Sequence, residues 1–400
     1  MAYVKISNLN FAQPLTGNEI IPVVQNGTSY KVSVSAVGGT GDTENINGQC
    51  NDIGTGCNFS SIVGGEYNDV YGNCSFIGGG KGNVLSADFG FIGSGCNNSI
   101  SKISNHGIIL GGGGNCIDGR GNTCPNGVYK PVSNVIVAGA GNEILSGTGN
   151  FIHNSRESSI CCSTYSTIFG SKSCIYGGTH SSVFGNINFI CQGSTGRFNC
   201  IGGGSSNKIE QICSGSVISN IINGGQSNCI INGTSNVIGG GQSNKIFDPL
   251  SGVSNFSVIG GGNNNIAGTG RANILGGGIN KNYGINSSIL GGFNQTICGG
   301  SNYSMLGAGS YNTSFSGRSD ILGGKFNLNK GEFSTIINGV SSVINSGHDN
   351  TIIAGTHICT VSSNMLHANT LYLSAAALPT IDPGVPGVVW RDGTNLKISV

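Results

Sequence analysis

A short unit that returns every fifteen or sixteen residues constrains this chain more than any other feature. The second member of each apolar pair before a glycine corner recurs at Val63, Ile77, Ile92 and Leu110, and onward to Leu306, Leu322, Ile337 and Ile353. Most intervals lie between 14 and 17 residues, and the longer ones mark loops, chiefly 118–133 and 247–255. A well-formed unit is Ser257-Val258-Ile259-Gly260-Gly261-Gly262-Asn263-Asn264-Asn265-Ile266-Ala267-Gly268. It reads as a short strand, a glycine corner, a second strand beginning near an asparagine, and another corner. Glycine and asparagine both tolerate the positive φ that such corners require. Repeated Gly-Gly-Gly beside β-branched residues excludes helix. One coil of this size cannot bury its own apolar face, whereas stacked coils share a continuous core. The spacing predicts an all-β fold, a parallel β-solenoid (β-roll) of about 15–16-residue coils over residues 46–362. A segment over 1–45 precedes it and a small β segment over 363–400 follows. Eighteen such coils, stacked about 4.8 Å apart, give an expected rod of roughly 85 Å.

Composition narrows the function classes. The 72 glycines do not fall at every third position, which excludes collagen. Apolar residues make up 37% of the chain and recur regularly, which argues against disorder. A net charge of +1 without a basic cluster lacks the electrostatic footprint of nucleic-acid binding. No apolar stretch is long enough to span a bilayer, so membrane insertion is not expected. Met1-Ala2-Tyr3-Val4-Lys5-Ile6-Ser7 has no apolar h-region of a secretory signal. The expectation is synthesis in a host cytoplasm, with lysis or a dedicated assembly delivering the protein outside the cell.

The apolar pairs predict a partner. Adjacent side chains on a strand point to opposite faces, so one member of Val258-Ile259, Ile274-Leu275, Ile289-Leu290 or Met305-Leu306 faces outward. A row of outward apolar side chains exceeds what soluble monomers expose. A parallel homotrimer covers it most economically, and an antiparallel dimer is the alternative. The asparagines after the glycine corner (Asn83, Asn98, Asn115, Asn142, Asn207, Asn228, Asn244 and Asn264) read as a ladder that closes backbone hydrogen bonds. The alternative is a regular polar face for glycan or ice.

Candidate chemistry is sparse. The 15 cysteines follow no zinc-like spacing and read first as small buried apolar residues, with disulfides second. His357 and Cys359 form only a lone pair of potential ligands, so no metal or other cofactor is expected. Asp69, Asp88, Asp118, Glu143, Glu157, Glu210, Asp320 and Glu332 are scattered, whereas a glycosidase needs two carboxylates held close together. No catalytic residue is assigned, and the chain is not expected to be an enzyme. Gly78-Gly79-Gly80-Lys81-Gly82 lacks the Gly-Lys-Ser/Thr of a phosphate loop. Receptor contact is expected in the longest interruption, 116–133, through Arg120, Asn122, Asn126, Tyr129 and Lys130.

Units such as Ser257 to Gly268 and Ala272-Asn273-Ile274-Leu275-Gly276 resemble the head repeats of trimeric autotransporter adhesins. That resemblance covers roughly 57–358 and implies a left-handed parallel β-roll trimer. The chain departs from that family in its expected lack of signal peptide, heptad stalk and membrane anchor. Two terminal stretches look like those of phage and large-virus tail-fibre or virion proteins. They are Pro14-Leu15-Thr16-Gly17-Asn18-Glu19-Ile20-Ile21-Pro22-Val23-Val24, and Pro383-Gly384-Val385-Pro386-Gly387-Val388-Val389-Trp390-Arg391-Asp392-Gly393-Thr394. The resemblance implies a virion fibre that docks to virion or tail components through its N-terminal segment and projects outward, with host surface glycan as a further partner. A self-assembling filament or sheath protein and a glycan depolymerase tailspike are the alternatives.

Overall fold

The computed structural model describes residues 20–25, 28–33, 43–45, 48–119, 132–192, 196–211, 217–247, 255–268, 270–370, 377–386, 388–392 and 394–400. Among the described residues there is no α-helix. The chain forms two compact units, residues 1–243 and 244–400, and each is a parallel β-solenoid as the repeat predicts.

In the first unit, one ladder of parallel strands runs from Thr43–Asn45 to Val237–Ile238 and a second from Asp52–Ile53 to Cys229–Ile231. In the second unit, the first ladder runs from Val258–Ile259 to Leu366–Ala368 and the second from Lys245–Ile246 to Val343–Ile344. Each strand pairs with its equivalent one coil later, so Ile77 lies beside Ile92. Antiparallel hairpins lie near the ends, Ile20–Gln25 with Thr28–Ser33 and Val389–Asp392 with Asn395–Ile398.

The core is two stacks of inward side chains. Ile62, Ile77, Ile92, Ile109 and Ile136 of the first ladder are fully buried, as are Val70, Leu85, Ile100 and Ile117 of the second. Full burial stabilises each by roughly 1.5–3 kcal/mol. The apolar pairs alternate inward and outward, but the second member is not always the inward one. In Ile274-Leu275 and Ile289-Leu290 the isoleucine is inside, and the leucines are 59% and 46% exposed. Both neighbours of an inward residue point outward, so the outward bulk can sit on either side of it. In many coils of the first ladder a large outward residue on one side meets a small one on the other, whereas Ile108/Leu110, Val135/Val137 and Phe151/His153 are large on both. Phe76 is followed two residues later by Gly78, Phe91 by Gly93 and Val258 by Gly260, whereas Ser61 is followed by Val63, Ser182 by Phe184 and Ser288 by Leu290. The Phe76 ring lies over Gly78, with its Cε1 3.5 Å from where a Cβ would stand.

The corner after the first ladder is closed by buried amides. Asn83 Nδ2 donates to Gly79 O (3.1 Å), Gly95 O (3.0 Å) and Asn68 Oδ1 (2.9 Å). Its Oδ1 accepts from Asn98 N and Asn98 Nδ2, both at 3.0 Å. Asn98, Asn115 and Asn142 continue the pattern. In the second unit Asn265 occupies the ladder and accepts from Asn280 N at 3.0 Å, while Asn264 is the exposed left-handed residue before it (φ 55°). The expected asparagine ladder therefore exists, shifted by one residue in that coil. Being buried, it is not a polar outer face.

Corner length and core identity are linked. Counting from the inward residue to the left-handed residue three places before the next inward residue, the corner after the second ladder spans four residues behind Val70, Leu85, Ala267, Asn282, Ser314 and Asn329. It spans five or more behind Ile100, Ile144, Ile175 and Ile297. A four-residue corner draws its own backbone into the coil, which Asn282 and Asn329 exploit. Asn282 Nδ2 donates to Asn273 O (3.1 Å) and Ser287 O (2.8 Å), and its Oδ1 accepts from Gly284 N (3.2 Å). Asn329 repeats this with Asp320 O, Ser334 O and Gly331 N.

The cysteines depart from expectation. Cys57 is a buried free thiol and Cys161 is buried against Cys162, which is disulfide-bonded, but Cys50, Cys74, Cys96, Cys191 and Cys359 are exposed. Several simply occupy corner or outward strand positions, which tolerate any small side chain. Native-state labelling should modify the exposed five rapidly and Cys57 slowly; uniform slow labelling would contradict this placement. Asn83→Ala should lower stability by about 3 kcal/mol in urea titration, because it strands several buried partners that each cost 1–3 kcal/mol. Asn83→Ser should cost less, since Ser158 and Ser173 hold the equivalent place.

Candidate functional site

Variation in length falls on one edge. The corner after the first ladder spans five residues in Ile77 to Gly82, Ile259 to Asn264 and Ile336 to Ser341, and four in Ile168 to Lys172. The corner after the second ladder ranges from four residues (Leu85 to Phe89) through ten (Ile209 to Ser219) to sixteen (Ile117 to Ser133). Both expected long loops thus leave from this second edge, the side on which repeat proteins gather insertions. Arg120, Asn122, Asn126, Tyr129 and Lys130 lie outside the described residues.

The second edge also carries a row of large side chains at its left-handed positions. In the first unit, Phe89 stacks on His106 at 5.1 Å, and His180 lies between Tyr165 (5.2 Å) and Phe198 (5.3 Å). In the second unit, Arg271 lies over Phe256 at 5.7 Å, and Arg318 is held between Tyr303 (5.5 Å) and Phe333 (4.8 Å). The same row elsewhere holds Gly149, Asn286 and Asn350. Glycine and asparagine adopt positive φ cheaply, whereas a bulky residue there costs about 1–2 kcal/mol. Ring stacking and cation–π contact offset part of that cost, at roughly 0.5–1.5 kcal/mol per aromatic pair and about 0.5–1 kcal/mol for an exposed cation over a ring.

Beside Tyr303 and Arg318 lies a groove of about 560 Å³ that crosses four successive corners. It is lined by Gly300, Gly317 and Gly347 together with Asn302, Lys330, Glu332 and Asp349. Two wall side chains are fixed by the backbone. Asn302 Oδ1 accepts from Ile285 N at 2.9 Å, and Asp349 Oδ1 accepts from Glu332 N at 2.8 Å. Nothing in the linear order marks this groove, because its charged residues come from three successive coils.

Most of the acidic residues stay apart in the fold, but Glu332 and Asp349 meet in the groove and Asp52 and Asp69 meet on the second ladder. Asp88 and Asp320 accept backbone N–H groups, and Glu157 and Glu210 join ion pairs. Asp52 and Asp69, however, are direct neighbours on the outer face of the second ladder. Partial burial, and then the adjacent Asp52, raise the Asp69 carboxyl above its usual value, while a hydrogen bond from Tyr71 opposes them. His357 is an exposed left-handed corner residue, and Cys359 accepts from Asn345 Nδ2 at 3.2 Å. Among the described residues no cluster of three or more His, Cys, Asp or Glu gathers.

No protein-family model matches this chain, and no curated protein matches it.

The Asp52/Asp69 pair has a pH signature. A carboxyl raised in the folded state stabilises the fold below its unfolded pKa and loses that contribution as pH rises through the folded pKa. Asp69→Asn should therefore raise the melting temperature at pH 7, with the gain fading below the ordinary value of 3.8. Melting curves at both pH values check this; a loss of stability at pH 7 would contradict it.

Proposed function

We propose that the chain is a structural and adhesive fibre protein, a projecting rod of a virion assembled as a parallel homotrimer. The observation that carries this reading is the outward face of the first ladder. It presents aligned apolar side chains in both units, including Phe76, Phe91, Phe169 and Phe184 in one and Leu275 and Leu290 in the other. Phe76 stacks on Phe91 and Phe169 on Phe184, each at 5.3 Å. A face of this kind favours coverage by sister chains, because monomers rarely leave large contiguous apolar patches in water. Where bulk stands beside glycine, as in Phe76/Gly78 and Val258/Gly260, the face has knobs and hollows that identical neighbours can fill. Placement on a virion rests on the resemblance of the two terminal stretches to fibre proteins, with docking through the N-terminal segment. The reading assigns no catalytic step. The chain is made in a host cytoplasm and reaches the outside with its particle.

Light scattering at micromolar concentration should report three times the 40.5 kDa chain mass. Leu275→Asp with Leu290→Asp should shift the protein toward monomer while its β-type circular dichroism remains. A parent protein that stays monomeric would overturn the trimer. Electron microscopy of the parent particle should reveal the rod at its surface; its absence there would overturn the virion assignment.

A further inference from the structure

The groove beside Tyr303 departs from the ordinary chemistry of this fold's corners. Charged residues make up only 9% of the chain, yet Arg318, Lys330, Glu332 and Asp349 converge on this one groove. The two cations and two anions balance in charge. Among the described residues no ion pair joins them. Opposite charges held in one groove and left unpaired keep much of their hydrogen-bonding capacity for a ligand. A phosphate-bearing ligand would meet Glu332 and Asp349, and a metal ion would meet Arg318 and Lys330. A neutral, hydroxyl-rich molecule suits both signs, because each hydroxyl donates to a carboxylate and accepts from a guanidinium or ammonium group.

Two further observations fit that class. Tyr303 stands at the rim, 60% exposed, and a tyrosine presents an apolar ring together with a polar tip. Tyr303, Arg318 and Phe333 all sit at positive φ (59°, 51° and 52°), where Asn286 and Asn350 serve neighbouring coils. Strained positions held by bulky residues concentrate at binding sites. The groove crosses four successive corners, so an extended chain of repeating units can lie in it.

We propose that this groove binds a neutral oligosaccharide lying along the second edge, with Glu332 and Asp349 accepting from sugar hydroxyls, Arg318 and Lys330 donating to them, and Tyr303 packing on a sugar face. This deepens the adhesive reading by naming its ligand class, but it requires neither the trimer nor the virion.

The test is calorimetric titration of the full chain with maltotriose, cellotriose and triacetylchitotriose, with inorganic phosphate and calcium chloride as charged competitors. At least one trisaccharide should bind, and neither competitor should displace it. Tyr303→Gly should weaken binding at least tenfold while the urea midpoint holds or rises, since glycine relieves the left-handed strain. Glu332→Gln should weaken binding similarly. No binding by any trisaccharide would overturn the proposal, as would displacement by phosphate or calcium. So would unchanged affinity in both variants, or a Tyr303→Gly protein that loses stability and keeps its affinity. Light scattering on the same samples reports the trimer separately, so failure of either reading is recognised by itself.

Discussion

Every coil of this solenoid turns its backbone through two sharp corners, and each corner leaves peptide groups that the strand ladders cannot reach. Buried peptide groups without partners are costly, so stacked coils are tenable only if something inside each corner satisfies them. Asn83 and its equivalents do this from within, donating to carbonyls of their own and the next coil and accepting from the next asparagine. The amide is suited to the task because it donates and accepts along one short side chain. Once the corner is fixed, the strands stand in register, the inward isoleucines stack, and the outward residues align into rows.

Those rows divide the labour of the surface. The outward face of the first ladder carries rows of apolar side chains, whereas the second edge is rich in aromatic side chains and variable in length. One edge solution recurs in both units: His180 between Tyr165 and Phe198, and Arg318 between Tyr303 and Phe333. A flat side chain between two rings, imidazole or guanidinium, spans adjacent coils and keeps the left-handed corner ordered. Beside Arg318 the further charged side chains Lys330, Glu332 and Asp349 line a groove.

Much of the architecture was legible from spacing, because each inward isoleucine sits at a near-constant distance from the next. The fine register was not. An apolar pair does not reveal which member faces in, since the outward bulk precedes the buried residue in Phe76-Ile77 and follows it in Ile274-Leu275. The run Asn263-Asn264-Asn265 likewise hides which asparagine is the ladder member, a choice set by which residue takes the left-handed turn. Asn282 and Asn329 were passed over because an inward polar residue interrupts the apolar pattern; the short corner behind each was the available signal. The groove was invisible for a different reason. Arg318, Glu332 and Asp349 lie 14 and 17 positions apart, and only stacking makes them neighbours.

The link between corner length and the inward residue has a use in engineering. In the second ladder, coils with an inward isoleucine carry corners from five residues upward, and those with Val70, Leu85, Asn282 or Asn329 keep the tightest turn. The scaffold therefore states in its own core which coils accept foreign peptide. An epitope grafted behind Ile144 or Ile175 enters a frame already matched to a longer turn. The same graft behind Asn282 would pull away the backbone its amide holds and leave that amide stranded in the interior. For a display scaffold, the identity of one hidden side chain separates permissive sites from forbidden ones before any loop is built.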